Sequence, residues 1–329
     1  MARAIFVSDR SAKAPRSTAA ARRRRIDRWI RLELARHPPR AKSLVVTVWG
    51  DAIAPHGGAV WLGSFIRLMA PLGLNERLVR TSVYRLTKEG WLAPRQNGRR
   101  SLYRLTPAGA QRFEHAYRRI YAPPTPDWKG TWEIVLGLDD LAPTQRRDLR
   151  RELGWQGFGA LGPALFARPL AGRPDTGLAR QLVGLGVAHK LVVLQARNAP
   201  GFSARALASS IRNCWDLPRI AAEYRAFLAR FRGVIDEFTA PAASDPEQAF
   251  VVRSLLIHAF RRVTLHDPGL PPELRPRAWP SDEAYALCRD FYRLTHRAGE
   301  RYLAATLQAQ NERLPPAAPY FYRRFGGLR

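Results

Sequence analysis

Residues 75–106, NERLVRTSVYRLTKEGWLAPRQNGRRSLYRLT, constrain the fold of this chain more tightly than any other stretch. Asn75 suits a helix N-cap, where its side-chain oxygen takes an unpaired backbone N–H, and Glu76 complements the positive end of the helix dipole. At helical period Val79, Ser82, Val83 and Leu86 share one face, with Leu78 at its margin. The opposite face carries Arg77, Thr81, Tyr84 and Lys88, flanked by Arg80 and Arg85. Gly90 supplies a stop, because glycine takes the left-handed conformation that ends helices. Trp91 and Leu92 open an extended run, Asn97-Gly98 is a strong hairpin signal, and Leu102, Tyr103 and Leu105 return. Arg99 and Arg100 fall at the hairpin tip. The spacing predicts an amphipathic helix followed at once by an arginine-tipped hairpin, the layout of a winged helix-turn-helix.

The preceding residues complete that unit. From Ser43, Leu44, Val45, Val46, Val48 and Trp49 predict a buried first helix ending near Pro55, with His56-Gly57-Gly58 as the turn. Val60, Trp61, Leu62, Phe65, Ile66, Leu68 and Met69 predict a second, and Pro71-Leu72-Gly73 leads into Asn75. Residues 41–122 are therefore assigned to a winged helix-turn-helix domain. Residues 1–40, with Arg22-Arg23-Arg24-Arg25 and a closing Pro38-Pro39, read as a basic, flexible or partly helical arm. Such an arm is solvated or reaches phosphates along a duplex.

Beyond a linker helix at 111–121, Pro123-Pro124-Thr125-Pro126 marks a boundary. A strand at 132–138, a helix at 143–153, extended segments at 164–167 and 190–195, and a helix at 177–185 between them predict a ferredoxin-like module over residues 123–200. From Ser203 helical periods predominate, at 204–211, 219–231, 247–263 and 282–307, giving a helical domain over residues 201–329. The fold class is thus α+β and multidomain.

The net charge of +27 and pI near 11.4 favour a polyanionic partner. Lysine occurs only at positions 13, 42, 88, 129 and 190, so part of the arginine excess reflects GC-rich codon usage. Specific side chains must carry the reading. Arginine offers a two-pronged fork for guanine O6 and N7. The candidates for double-stranded DNA are Arg77, Arg80, Thr81, Tyr84, Arg85 and Lys88, with Arg99 and Arg100 in the wing. Wing arginines fit phosphates or the minor groove, and Arg80 and Arg85 also fit salt bridges within the domain.

Only Cys214 and Cys288 are present, which argues against a disulfide framework or a cysteine-rich metal site. No apolar run is long enough for a membrane span, and no apolar core follows the basic N-terminus as in a signal peptide. A cytoplasmic protein without a membrane partner is expected. His37, His56, His115, His189, His258, His266 and His296 show no ligand spacing, so no metal and no catalytic site are expected.

Six strings, in order along the chain, resemble the PaaX family, the phenylacetic acid degradation operon repressors. They are Gly57-Gly58 with VWLGSFIRL at 60–68, ERLVRTSVYRLTKEGWL at 76–92, GRRSLYRLT at 98–106, WQGFGALGP at 155–163, LLIHAFRRVTLHDPGLPPELRPRAW at 255–279 and YFYRRFGGL at 320–328. The resemblance implies a repressor of phenylacetate catabolism genes, released from its operator by phenylacetyl-coenzyme A. It implies a winged helix-turn-helix, then a Cas2-like ferredoxin-like domain, then a helical C-terminal domain for effector binding and dimerisation, with no cofactor. The N-terminal arm is longer than the family pattern requires.

A coenzyme A thioester calls for arginines at its phosphates and an aromatic-lined pocket. Trp155, Phe158, Arg261, Arg262 and Trp279 are the candidates, and the glycines of WQGFGALGP would let backbone approach a pantetheine chain. The same residues also read as core aromatics and helix-capping arginines. Asp139-Asp140 occupies the place where a Cas2-like nuclease holds a metal, yet a capping pair explains it more simply. Residues alone leave other readings open: a repressor or activator of another aryl-CoA pathway, a CoA-thioester-handling or nuclease-like enzyme with an accessory DNA-binding domain, or a nucleoid protein bound through charge.

Overall fold

A computed structural model describes residues 14–98, 100–123, 128–137, 141–170, 177–197, 199, 204–239, 244–309 and 313–328. The chain forms two compact units. One comprises Met1–His115, Ala229–His258 and Leu287–Arg329, the other Ala116–Leu228 and Ala259–Ala286.

The first unit opens with helix α1 (Ala14–Arg36), where the sequence suggested a flexible or partly helical arm. Ile26 is buried, the Trp29 ring lies 5.5 Å from that of Phe231, and Arg230 pairs with the buried Glu33. Arg25 donates two hydrogen bonds to Glu237, at 2.6 and 2.7 Å. Ile26, Trp29 and Glu33 stand about one turn apart on one face, a pattern hidden among the arginines.

Helix α2 (Ala41–Val48) buries Leu44, Val45, Val46 and Val48 and runs through a wider π-helical turn, Trp49–Ile53, to Ala54–His56. Strand β1 (Ala59–Trp61), α3 (Leu62–Met69), α4 (Glu76–Lys88), β2 (Leu92–Asn97), β3 (Arg100–Leu105) and α5 (Pro107–Tyr121) follow. Val60 and Trp61, expected to open the second helix, instead pair with Tyr103 and Leu102 in an antiparallel sheet of order β1-β3-β2. Branched and aromatic residues suit that pleated, half-buried surface. In the hairpin Asn97 pairs with Arg100, so Asn97 ends the ladder and Gly98, at φ +57°, provides the left-handed turn residue.

Helix α5 seats the hairpin through contact with Trp91. The Phe113 ring meets Trp91 edge-on at 5.6 Å, and a Cβ on Gly109 would lie 2.3 Å from the Trp91 carbonyl oxygen. Backbone cannot yield there as a side-chain tip can. Gly109→Ala is expected to cost roughly 1–3 kcal/mol through this overlap, read as a lower urea midpoint at unchanged slope; unchanged stability would show that α5 shifts freely.

In the second unit β4 (Thr131–Gly137), α6 (Pro143–Trp155), β5 (Gly159–Ala160), β6 (Leu165–Pro169), α7 (Gly177–Gly184) and β7 (Leu191–Arg197) build an antiparallel sheet of order β5-β6-β4-β7. Its core joins Val135, Leu149, Leu153, Phe158, Phe166, Leu178, Leu182 and Val187. The short strand β5, within the glycine-rich string, had no sequence signature beyond those glycines. Asp139-Asp140 lies outside the described residues. The helices α8 (Ala204–Asn213), α9 (Leu217–Asp236), α10 (Pro246–Thr264) and α11 (Ser281–Thr306) follow, and α9, α10 and α11 contribute residues to both units. Among the described residues no helix is long and apolar enough to cross a membrane.

A buried charge cluster ties the C-terminal segments of the first unit to the turn after α2. Asp51 accepts hydrogen bonds from Tyr292 at 2.7 Å and from Arg324 Nη1 at 3.1 Å, while Arg253 Nε lies 3.5 Å from its other oxygen. Arg253 also faces Glu300 at 3.6 Å, and His56 Nε2 approaches Glu300 at 2.9 Å. Burial opposes the charge on Glu300, but the His56 hydrogen bond and the Arg253 guanidinium outweigh it and hold this carboxyl below its ordinary pKa.

Candidate nucleic-acid interface

Helix α4 is built as an anchored rod with one face outward. Val79, Ser82, Val83 and Leu86 are buried, and the Asn75 Oδ1 accepts from the Leu78 N–H at 2.9 Å, the N-cap bond expected from the sequence. Lys42 pairs with Glu89 at the other end. Arg77, Arg80, Thr81, Tyr84, Arg85 and Lys88 are all exposed. They differ in what holds them. Arg80 Nε donates to Glu76 at 2.7 Å, the intrahelical pair that its position allowed. The Lys88 ammonium lies 5.6 Å from the centre of the Tyr84 ring, which is 60% exposed. Arg77 and Arg85 make no ion pair among the described residues. Their guanidinium donors face solvent, which suits base edges or phosphates.

The wing is less uniform. Arg99 lies outside the described residues. Arg100 lies with its guanidinium 4.5 Å from the Trp61 ring centre and donates to Gln308 Oε1 at 3.0 Å. Arg67, a residue sequence reading passed over, is exposed on α3 near Arg80 and Arg100, where the three line one notch with Trp61 and Gln308. As the one cation in the apolar string LGSFIRLM it carried no signal beyond its charge.

The five effector candidates lie in varied surroundings within the second unit. Phe158 is a core side chain, with the Arg168 guanidinium 4.5 Å from its ring centre; Arg168 is itself held by Glu133 at 2.6 Å. Trp155 is half exposed, and its carbonyl accepts from Arg119 at 2.6 Å. Arg119 also donates to the carbonyls of Thr264 and Asp267, and Asp267 accepts from Tyr224 at 2.9 Å. The Tyr224 ring meets Trp279 edge-on at 6.3 Å. A chain of polar contacts thus joins the surroundings of Trp155 and Trp279. Arg261 is half-buried, where burial lowers its pKa against the opposing effect of Tyr121, and Arg262 is exposed. Two of the three glycines of WQGFGALGP have a packing role: a Cβ on Gly157 would lie 2.7 Å from the Pro268 carbonyl, and one on Gly159 would lie 2.7 Å from Cys214.

No group of three or more His, Cys, Asp or Glu residues suited to a metal ion occurs among the described residues. His258 is a helix residue, its Nδ1 3.0 Å from the Thr47 hydroxyl.

Two family models match this chain, that of the PaaX-like proteins over residues 40–109 and that of the PaaX-like protein C-terminal domain over residues 215–305. The chain is 35% identical over 311 residues to the transcriptional repressor PaaX of Escherichia coli (strain K12), across 92% of this chain and 96% of that relative. The chain belongs to the PaaX family. Every candidate on α4 and in the wing of this PaaX-family chain falls inside the first matched segment, and Arg261, Arg262 and Trp279 fall inside the second. Trp155 and Phe158 fall between them. A solved structure of an uncharacterised Mycobacterium tuberculosis protein, Rv0674, is similar at 24% identity and a TM-score of 0.46, covering 73% of this chain and 89% of its own, too loose a likeness to argue from.

Proposed function

We propose that this PaaX-family chain is a sequence-specific, DNA-binding transcriptional repressor of phenylacetate catabolism genes, and not an enzyme. The outer face of α4 carries the DNA-binding reading. There Arg77, Thr81, Tyr84, Arg85 and Lys88 stand exposed on a helix whose other face is fixed in a core. Helices α2, α3 and α4 with the β2–β3 hairpin act as a winged helix-turn-helix in residues 41–122. The sheet of order β5-β6-β4-β7 supports a Cas2-like ferredoxin reading for residues 123–200. Residues 201–329 then serve effector binding and dimerisation. The similarity to the E. coli repressor supports the direction of control, repression.

The remaining parts of the reading follow from the family. The protein works in the cytoplasm as a homodimer on a two-fold operator, with half-sites about one helical turn or a multiple apart. Phenylacetyl-coenzyme A releases it, which requires the thioester to bind a non-reading conformation more tightly than the reading one. Trp155, Trp279, Arg261 and Arg262 are the side chains proposed to meet the thioester, while Phe158 belongs to the core beneath the four-stranded sheet.

Footprinting on DNA upstream of phenylacetate catabolism genes tests this function. A discrete protected segment, abolished by phenylacetyl-coenzyme A and kept with free phenylacetate, is expected. Protection spread evenly over the fragment would instead favour a charge-driven nucleoid protein, and the salt concentration must be held constant throughout.

A further inference from the structure

Beside α4 lies a notch of about 220 Å³ lined by Arg67 of α3, Arg80 of α4 and Arg100 of β3, together with Trp61, Ser101 and Gln308. We propose that this notch seats one phosphate of the DNA backbone and so sets the register in which α4 reads its site. The proposal rests on the DNA-binding reading above, and adds to it a second surface with a different task.

The side chains that line the notch suit an anion. Three guanidinium groups from three separate elements line one small space. Glu76 partners Arg80 at 2.7 Å, whereas Arg67 has no ion-pair partner among the described residues. Like charges gathered in this way repel one another, and a phosphate that accepts several of their hydrogen bonds reverses the sign of that term. Guanidinium is also the side-chain group best matched to two phosphate oxygens at once.

The walls are fixed in advance. Trp61 Nε1 donates to the Ala309 carbonyl at 2.7 Å, and the Trp61 backbone N–H donates to the Gln308 carbonyl at 3.0 Å. The Gln308 N–H in turn donates to the Ser64 hydroxyl at 3.1 Å. The indole that Arg100 stacks on is therefore anchored, as is the backbone of Gln308, whose side-chain oxygen Arg100 donates to, so the frame of the notch is in place before an anion arrives. Arg80 belongs to both surfaces, lining the notch while flanking the outer face of α4. That continuity selects a backbone phosphate of the same duplex over a free anion. Phosphate contacts fix position and carry little sequence information, so Arg67 should behave unlike Arg85.

The test uses the full chain, a duplex that it protects, and a scrambled duplex of equal length. Arg67→Ala is expected to weaken binding to both by a similar factor and to lower the slope of log affinity against log salt by about 1.8, from roughly 0.9 for the phosphate lost in each half-site. Arg67→Lys, which keeps the charge, should retain the slope. A single neutral methylphosphonate should weaken wild-type binding at one phosphate in each half-site and cost Arg67→Ala nothing there. Arg67 is exposed, so both variants should melt with the wild type. An unchanged salt slope and methylphosphonate profile in Arg67→Ala, with Arg85→Ala still losing operator preference, would overturn the notch and leave the reading helix intact. Absence of sequence preference in the wild type would overturn both.

Discussion

Asp51→Ala is expected to lower the free energy of unfolding by about 3–5 kcal/mol, the cost of stripping one partner from a buried, hydrogen-bonded ion cluster. Asp51 is 2% exposed, while Arg253 and Arg324 are fully buried around it. Removing the carboxylate leaves both guanidiniums in a low-dielectric site, with Glu300 the remaining carboxylate against Arg253, and takes away the oxygen that accepts from the Tyr292 hydroxyl. Asp51→Asn keeps one oxygen for Tyr292 and should lose less. Urea unfolding followed by tryptophan fluorescence reads the effect as a lower midpoint at unchanged slope. A loss below about 1 kcal/mol, the scale of an exposed pair, would mean that water reaches the cluster. The residues involved also explain why the effect should reach beyond stability. Asp51 follows the first helix of the segment proposed to read DNA, whereas Arg253, Tyr292 and Arg324 come from α10, α11 and the C-terminal turn.

The second large effect concerns recognition. Replacing both Arg77 and Arg85 with alanine is expected to weaken operator binding about thirtyfold or more, from roughly 1–3 kcal/mol for each lost two-pronged base contact. Binding to a scrambled duplex at the same salt should fall far less. The fold should be unaffected, since both side chains are exposed and neither forms an ion pair among the described residues. Equal losses on the two duplexes would move both arginines to phosphate roles.

Much of this surface was legible in the sequence because α4 combines three independent local signals. The Asn75 cap, the buried spacing of Val79, Val83 and Leu86, and the Asn97-Gly98 pair each act over a few residues, where the chain's own chemistry decides the outcome. The elements that were harder to read depend on distant partners. Val60 and Trp61 carry the apolar pattern of a helix but become a strand, because Tyr103 and Leu102 lie opposite them. Helix α1 is fixed by Phe231, Glu237 and Arg230, about two hundred positions away, and its arginine run masked the inward Ile26, Trp29 and Glu33. The same holds for Arg100, whose partners Trp61 and Gln308 are neighbours in space alone. WQGFGALGP shows the converse, since Gly157 and Gly159 stand where Pro268 and Cys214 leave no room for a side chain.

One titration bears on the whole reading. With fluorescently labelled operator and scrambled duplexes at fixed salt, anisotropy should show the full chain binding the operator at least about a thousandfold more tightly. Phenylacetyl-coenzyme A should remove that preference, and free phenylacetate should leave it in place. Equal affinity for the two duplexes, falling together as salt rises, would reduce the surface around α4 to nonspecific charge and contradict the proposed function.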